Sequence, residues 1–266
     1  ARRTIATHLD ALVAMGARVL DLPGHVLECP DGLQPASIYL YEASVTGTET
    51  ALLAAAGAAG VSEIRHAACE PHVVELCRFL EKMGVGVSGA GTSTIRIEGG
   101  GRLRGASHTL WGDYIEAGSW AVVAAVTGGE IDVRGARAED LEVVAAVLKR
   151  LNVECSMQGD TFRVDRSTPK AAGRITTGLW PGFPSDLVSL VTVLATQADG
   201  RTLVHDWLYE LRLFALEQLS GMRADLFLCD PHRIIVTGPR KLRGRPLDSR
   251  DLRSDRKSTR LNSSHR

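Results

Sequence analysis

Apolar positions along the chain fall into a block that recurs. Amphipathic helical segments run into small turns at Ala14-Met15-Gly16, Lys82-Met83-Gly84, Arg150-Leu151-Asn152 and Gly221-Met222-Arg223, landmarks 68, 68 and 71 residues apart. A short strand follows each turn. Then comes a second strand with alternating polarity: Val26-Leu27-Glu28, Thr94 to Ile97, Thr161 to Val164, and Arg233 to Val236. This order predicts that each copy closes in a hairpin. Upstream in three copies lies a different helix, rich in Ala, Val and Leu and closing on Gly, over Thr48 to Gly60, Asp113 to Gly129 and Ser185 to Gly200. A strand follows each one, at Glu63 to Arg65, Glu130 to Val133 and Arg201 to Val204.

The repeating unit is therefore helix, strand, helix, strand, strand. It occurs three times, with the last part of a fourth copy at the front. The first helix of each unit is apolar nearly all round, so several copies must pack these helices against one another. This predicts an inside-out α/β barrel in two domains, with helices central and sheets outside. The alternative is a conventional sheet with helices on both faces. The expected division is a first domain over 1–110, a second over 111–253 and a tail over 254–266.

Composition narrows the class without fixing the chemistry. With 44% hydrophobic and 23% charged residues over 266 positions, the chain is an ordinary globular one of about two domains. The longest nearly uninterrupted apolar stretch, Ala51 to Val61, is too short to span a membrane. The net charge is zero, but residues 250–266 hold six basic and two acidic residues, leaving 25 basic against 29 acidic before them. The body therefore offers no general surface for nucleic acid, and any anion site must be local. The five cysteines are scattered, odd in number and never at C-x-x-C spacing, and the eight histidines show no metal-ligand spacing, which fits a reducing cytosol and no metal. Gly99-Gly-Gly101 reads as a hairpin exit, and the four tryptophans as packing. Both ends look cut: the chain starts Ala1-Arg2-Arg3 without Met, and residues 254–266 hold one apolar residue in thirteen, which reads as a disordered or foreign tail.

Candidate chemistry gathers where the apolar helices begin. Ser44 to Glu49, Asp113 with Glu116, and Pro184-Ser185-Asp186 all supply capping-type residues. Exposed N–H groups at a helix start attract anions, although any single start is explained by capping alone. Asp186 is the most pointed case. Trp180-Pro181-Gly182-Phe183-Pro184 is rigid and non-helical, and it delivers a carboxylate into the first turn, where it is expected to be ionised and able to accept a proton from a bound hydroxyl.

At Tyr41-Glu-Ala-Ser-Val-Thr-Gly-Thr-Glu49, Ala67-Ala-Cys-Glu-Pro71, Gly112-Asp-Tyr-Ile-Glu-Ala-Gly118, Pro181-Gly-Phe-Pro-Ser-Asp186 and Asp251-Leu-Arg253 the sequence resembles the enolpyruvyl transferase family, and within it the UDP-N-acetylglucosamine 1-carboxyvinyltransferases. The resemblance implies a bacterial cytoplasmic enzyme of peptidoglycan synthesis. It would move the enolpyruvyl group of phosphoenolpyruvate to the 3′-hydroxyl of UDP-N-acetylglucosamine by addition and elimination, as a monomer with no cofactor, no metal, no nucleic acid and no membrane. It casts Asp186 as the proton acceptor and Arg3, Arg212 and Arg253 as the groups that hold phosphoenolpyruvate. It also places Thr4, Ile5, Ser44, Val45 and Leu208 among the substrate-binding positions.

Some positions depart from the family pattern. Glu42 stands where many members have Lys, Ala6 and Thr7 replace Asp-Leu, and Tyr114 replaces an Arg. These departures bear on nucleotide affinity. The loop that carries the family's Cys or Asp general acid falls upstream of residue 1, so the chain by itself is expected to be inactive and a longer parent active. The rivals are the sister transferase acting on shikimate 3-phosphate, a non-catalytic UDP-sugar-binding paralogue and, more remotely, an RNA-end-processing enzyme on similar repeats.

Overall fold

The structure, a computed structural model, describes residues 4–20, 26–209 and 212–246. Arg3, Arg253, the Asp251-Leu-Arg253 motif and the tail 254–266 lie outside the described residues. The chain separates into two compact units, Ala1–Leu110 and Trp111–Arg266, each with its own core.

The first unit opens with helix α1 (Ala6–Ala14) and the antiparallel hairpin β1 (Arg18–Leu20) and β2 (Val26–Glu28). Strand β3 (Ser37–Tyr39) then leads into helix α2 (Val45–Gly57), strand β4 (Gly60–Arg65), helix α3 (Pro71–Lys82) and the hairpin β5 (Gly86–Ser88) and β6 (Thr94–Gly99). The sheet order is β3-β4-β6-β5, with β3 and β4 parallel and the other pairs antiparallel.

The second unit holds two copies. One is α4 (Tyr114–Thr127), β7 (Ile131–Arg134), α5 (Ala138–Arg150), β8 (Cys155–Gln158) and β9 (Thr161–Val164), with a three-stranded sheet β7-β9-β8. The other begins with β10 (Gly173–Thr176). A 3-10 turn over Ser185–Leu187 feeds α6 (Val188–Gln197), and β11 (Gly200–His205) follows. A 3-10 helix (Leu213–Met222), β12 (Asp225–Asp230) and β13 (Arg233–Gly238) complete it, in the order β10-β11-β13-β12. The α/β class expected from the repeat holds, and all four hairpins are present.

Three features depart from the expected unit. Strands β3 and β10 precede the apolar helix and pair parallel with the strand after it, so two of the copies are β-α-β crossovers closed by a helix and a hairpin. At three and four residues these strands are too short to show a period. The second helix of the last copy is 3-10 rather than α. Its buried residues Leu213, Leu216, Leu219 and Met222 recur every third position, the period at which a 3-10 helix aligns them on one face. Finally, the apolar helices are not covered to the same degree. All of Leu187 to Ala198 in the α6 region is buried except Val193 and Gln197, and α6 packs on α4, β11 and β13, whereas Leu53 of α2 is more than half exposed.

Strands alternate in burial, Ile95 and Ile97 inward on β6 and Ile234 and Val236 inward on β13, so one sheet face meets the helices. Gly238 ends β13 opposite Gly200, and a Cβ on it would sit 2.5 to 2.8 Å from the carbonyl oxygens of Ala195, Thr196 and Ala198 at the end of α6. Gly99 pairs with Gly60 in the same way and meets the carbonyls of Ala55, Ala56 and Ala58 at the end of α2. The glycine run is therefore where a strand end grazes a helix end, a close approach that only a residue without Cβ allows.

Candidate active site

The segment before α6 is built to deliver Asp186. Gly178 N–H donates to the Phe183 carbonyl at 2.9 Å, Gly182 N–H donates to the Leu179 carbonyl at 2.6 Å, and Phe183 is buried, which anchors the loop. Pro184 is extended, and the chain turns at once into the 3-10 segment, with Leu187 N–H donating to the Pro184 carbonyl. Ser185 does not cap this helix, contrary to expectation. Its hydroxyl donates instead to Asp206 Oδ2 at 2.6 Å and accepts from Arg212 Nη1 at 2.6 Å. Arg212 Nη1 also lies 3.2 Å from Asp186 Oδ1, forming an ion pair in which the arginine side chain is 3% and the aspartate side chain 26% exposed. The carboxylate is thus held by a buried cation while part of it still faces outward. The Arg212 guanidinium also lies 4.3 Å over the Tyr209 ring, a cation–π contact that fixes its plane.

Behind this pair stands a residue that sequence reasoning missed. Asp206 is fully buried in the loop after β11. Its carboxylate accepts from Thr177 Oγ1 at 2.7 Å, from Ser185 Oγ, and from the Leu208 N–H at 3.3 Å. The backbone of the same residue is tied to His232: Asp206 N–H donates to the His232 carbonyl, and the His232 Nδ1 lies 2.8 Å from the Asp206 carbonyl oxygen. A buried carboxylate with three donors is stable where an unpaired one would not be. The only sequence signal was an acid at the end of an apolar strand. Leu208 is half-buried, and its backbone, not its side chain, makes the observed polar contact.

The first unit carries the other expected positions. Ser44 caps α2, accepting from the Gly47 N–H at 3.2 Å, with Val45 as the first helical residue. Thr48 is fully buried and links the helix to the loop before α3 by accepting from the Ala68 N–H. Thr4 Oγ1 accepts from the Ala6 N–H at 3.1 Å, and Ile5 precedes α1 and is exposed. Two of the departures meet here, as the Thr7 hydroxyl donates to Glu42 Oε1 at 3.2 Å. His8 reaches from α1 to α2, with Nδ1 2.8 Å from Thr50 Oγ1 and Nε2 3.2 Å from Thr46 Oγ1. Burial pushes the Glu70 carboxyl above its ordinary range, with Glu49 adding to the effect, and Glu70 Oε2 is buried without a hydrogen-bond partner among the described residues. Burial, together with the neighbouring Glu70 charge, also raises the Cys69 thiol.

At the start of α4, Asp113 accepts from the N–H groups of Ile115 at 2.8 Å and Glu116 at 3.3 Å. Glu116 accepts from the Trp120 indole N–H. Tyr114 is buried edge-on against Trp180, ring centroids 5.3 Å apart, and serves as packing. A cavity of about 160 Å³ opens beside it, lined by Asp113, Glu116, Arg134 and Arg137 among others, and its lining does not include Asp186 or Arg212. The Arg137 guanidinium stacks 3.3 Å over the Trp111 ring and pairs with Glu139 and Asp140.

Among the described residues no cluster of three or more His, Cys, Asp or Glu is placed to hold a metal ion. The five cysteines are free, and burial, with a smaller push from Glu81, raises the Cys77 thiol to about 11. No helix among the described residues is long and apolar enough to cross a membrane.

Comparison with known proteins places these features in one family. The model of EPSP synthase (3-phosphoshikimate 1-carboxyvinyltransferase) matches residues 1–254. The UDP-N-acetylglucosamine 1-carboxyvinyltransferase of Treponema denticola is 39% identical over 261 residues, covering 95% of this chain and 61% of the relative. That of Treponema pallidum is 40% identical with the same coverage. The chain thus spans about three fifths of the length of these relatives. Among solved structures, the enolpyruvyl transferase NikO from Streptomyces tendae superposes with a TM-score of 0.78 at 22% identity, covering 88% of this chain and 58% of that one. The EPSP synthase of Acinetobacter baumannii superposes with a TM-score of 0.62 at 20% identity, covering 88% and 57%. These two likenesses speak for the fold.

Proposed function

Because this chain belongs to the EPSP synthase family, we propose that its parent activity is transfer of the enolpyruvyl group from phosphoenolpyruvate to the 3′-hydroxyl of UDP-N-acetylglucosamine. The single observation that carries the reading is the Asp186–Arg212 pair at 3.2 Å, a partly exposed carboxylate beside a buried guanidinium. It is joined by the names of relatives 39–40% identical over 95% of the chain. The family model is described by the sister reaction on a phosphorylated shikimate, so that substrate is the second reading.

The chemistry asks for what these residues supply. Addition of a hydroxyl across the enol double bond forms a C–O bond at C2 as C3 takes a proton, and the hydroxyl proton must leave. Asp186 accepts it, and Arg212 holds the negative charge of the small substrate nearby. Elimination then breaks the C2–O bond to phosphate as C3 loses a proton. Arg3 and Arg253 are the further anion-holding groups of this reading, and Thr4, Ile5, Ser44, Val45 and Leu208 are its nucleotide-sugar and ligand positions. The same reading takes the repeats as an inside-out barrel in two domains, 1–110 and 111–253, and the enzyme as a cytoplasmic monomer of peptidoglycan synthesis.

The test is turnover by the protein expressed from its complete gene. It is supplied with phosphoenolpyruvate and either UDP-N-acetylglucosamine or shikimate 3-phosphate, with phosphate release and product mass as readouts. Release only with UDP-N-acetylglucosamine, with the sugar nucleotide gaining the mass of one enolpyruvyl group, is expected. Release with shikimate 3-phosphate alone, or with neither, overturns the reading.

A further inference from the structure

Arg212 is nearly fully buried, yet its partner carboxylate Asp186 is partly exposed, so something deeper must hold the guanidinium in place. The described residues offer a continuous path. Arg212 Nη1 donates to Ser185 Oγ at 2.6 Å, and Ser185 Oγ donates to Asp206 Oδ2 at 2.6 Å. The other carboxylate oxygen of Asp206 is taken by Thr177 Oγ1 and the Leu208 N–H, and its backbone is tied on both polar groups to His232. The carboxylate therefore cannot turn away. A Ser185 hydroxyl that gives its proton to Asp206 must offer its lone pairs elsewhere, and Arg212 is the donor that meets them.

We propose that Asp206 is a positioning residue: its buried carboxylate orients the Ser185 hydroxyl, which in turn fixes the Arg212 guanidinium against Asp186. Three residues from three separate segments, the turn before α6, the loop after β11 and the start of the 3-10 helix, are locked as one polar unit. A neutral amide at 206 can donate to Ser185 Oγ and compete with Arg212 for it, so the guanidinium loses its second anchor although no contact to substrate has been removed. The role rests on the proposed function, because it assigns Arg212 and Asp186 to the reacting groups.

The test compares Asp206→Asn, Asp206→Glu, Ser185→Ala and Ser185→Thr in the protein expressed from its complete gene, with melting curves to select folded variants. Two readouts are taken: steady-state kinetics, and nitrogen-15 NMR of the Arg212 side chain, assigned by loss of its signal in Arg212→Lys. For Asp206→Asn and Ser185→Ala the turnover number is expected to fall at least 30-fold, equivalent to about 2 kcal/mol on the activation barrier, while KM for the sugar nucleotide changes less than threefold. Rescue to within fivefold of wild type is expected for Ser185→Thr, and Asp206→Glu should keep more turnover than Asp206→Asn. Guanidinium rotation, slow in the wild type, should become fast in Asp206→Asn. A folded Asp206→Asn with wild-type turnover, or with slow Arg212 rotation retained, overturns the proposal. Should Asp206→Asn fail to fold, Ser185→Ala against Ser185→Thr decides by the same two readouts. If the wild type turns over neither acceptor, the functional reading falls while the NMR comparison still decides whether Asp206 positions Arg212.

Discussion

Arg212 Nη1 and Asp186 Oδ1 lie 3.2 Å apart, although the residues are 26 positions apart in sequence, and Arg212 spends the same nitrogen on Ser185. A guanidinium this buried cannot be replaced cheaply. Removing one partner of a buried charge pair typically costs about 3–5 kcal/mol, because the other is left uncompensated. Arg212→Ala is expected to lower stability by about 3 kcal/mol on that basis, read as a drop in denaturation midpoint, and to abolish measurable turnover. Arg212→Lys should retain more of the fold and less than about a hundredth of the catalytic efficiency, since an ammonium cannot serve Ser185 and Asp186 with the same planar fork.

Asp186→Asn keeps the size of the side chain and its place in the first turn before α6, but it removes the proton acceptor. General base catalysis is worth roughly 10²–10⁴ in rate. A fall in turnover number within that range is expected, together with a lowered melting temperature, because the buried Arg212 guanidinium loses the charge of its carboxylate partner. An Asp186→Asn enzyme that turns over within threefold of wild type would remove Asp186 from the chemistry.

The close approach of β13 to the end of α6 predicts a stability effect far from the site. Gly238→Ala places a methyl group 2.5 Å from the Ala198 carbonyl oxygen, with backbone rather than a flexible side chain as the obstacle. Overpacking of this kind costs about 1–3 kcal/mol. Gly99→Ala, at the matching position beside α2, should behave alike, whereas Gly244→Ala, which meets nothing, should be neutral in the same thermal melts.

Glu70 gives a pH-dependent signature. Burial holds its carboxyl above the ordinary value near 4.5, so between the unfolded and folded titrations the folded protein binds more protons than the unfolded chain. Its contribution to stability is therefore fully present below the unfolded value and is lost as pH rises through the folded one. Glu70→Gln should melt higher than wild type at pH 7, with the difference shrinking to nothing as the pH falls below about 4.5. A difference that grows toward low pH would contradict the burial of this group.

The Thr7 hydroxyl donates to Glu42 Oε1 at 3.2 Å, joining two positions at which the resemblance leads one to expect other residues. Glu42→Lys replaces a negative charge with a positive one at the edge of the proposed nucleotide-sugar site. Calorimetric titration is expected to show UDP-N-acetylglucosamine binding several-fold tighter at low salt, with the gain reduced at high salt as screening sets in.

Hydrophobic period and turn chemistry were enough to read the repeat, the four hairpins, the caps at Ser44 and Asp113, and the rigid run that delivers Asp186 into a first turn. These depend on residues a few positions apart, whose spacing is written along the chain. Strands β3 and β10, at three and four residues, were illegible because they are shorter than any period they could display. The 3-10 helix over Leu213–Met222 was misread because a three-residue apolar spacing also suits a sloppy α-helix, and packing chose between them. Asp206 was invisible for a deeper reason. A fully buried carboxylate is tolerable only when donors converge on it, and its donors Thr177 and Ser185 stand 29 and 21 residues away. No local pattern announces such a partnership. It exists only once β10, β11 and the turn before α6 have been brought together, which is why the sequence pattern could single out Asp186, and the family resemblance Arg212, while tertiary structure alone linked them to what holds them.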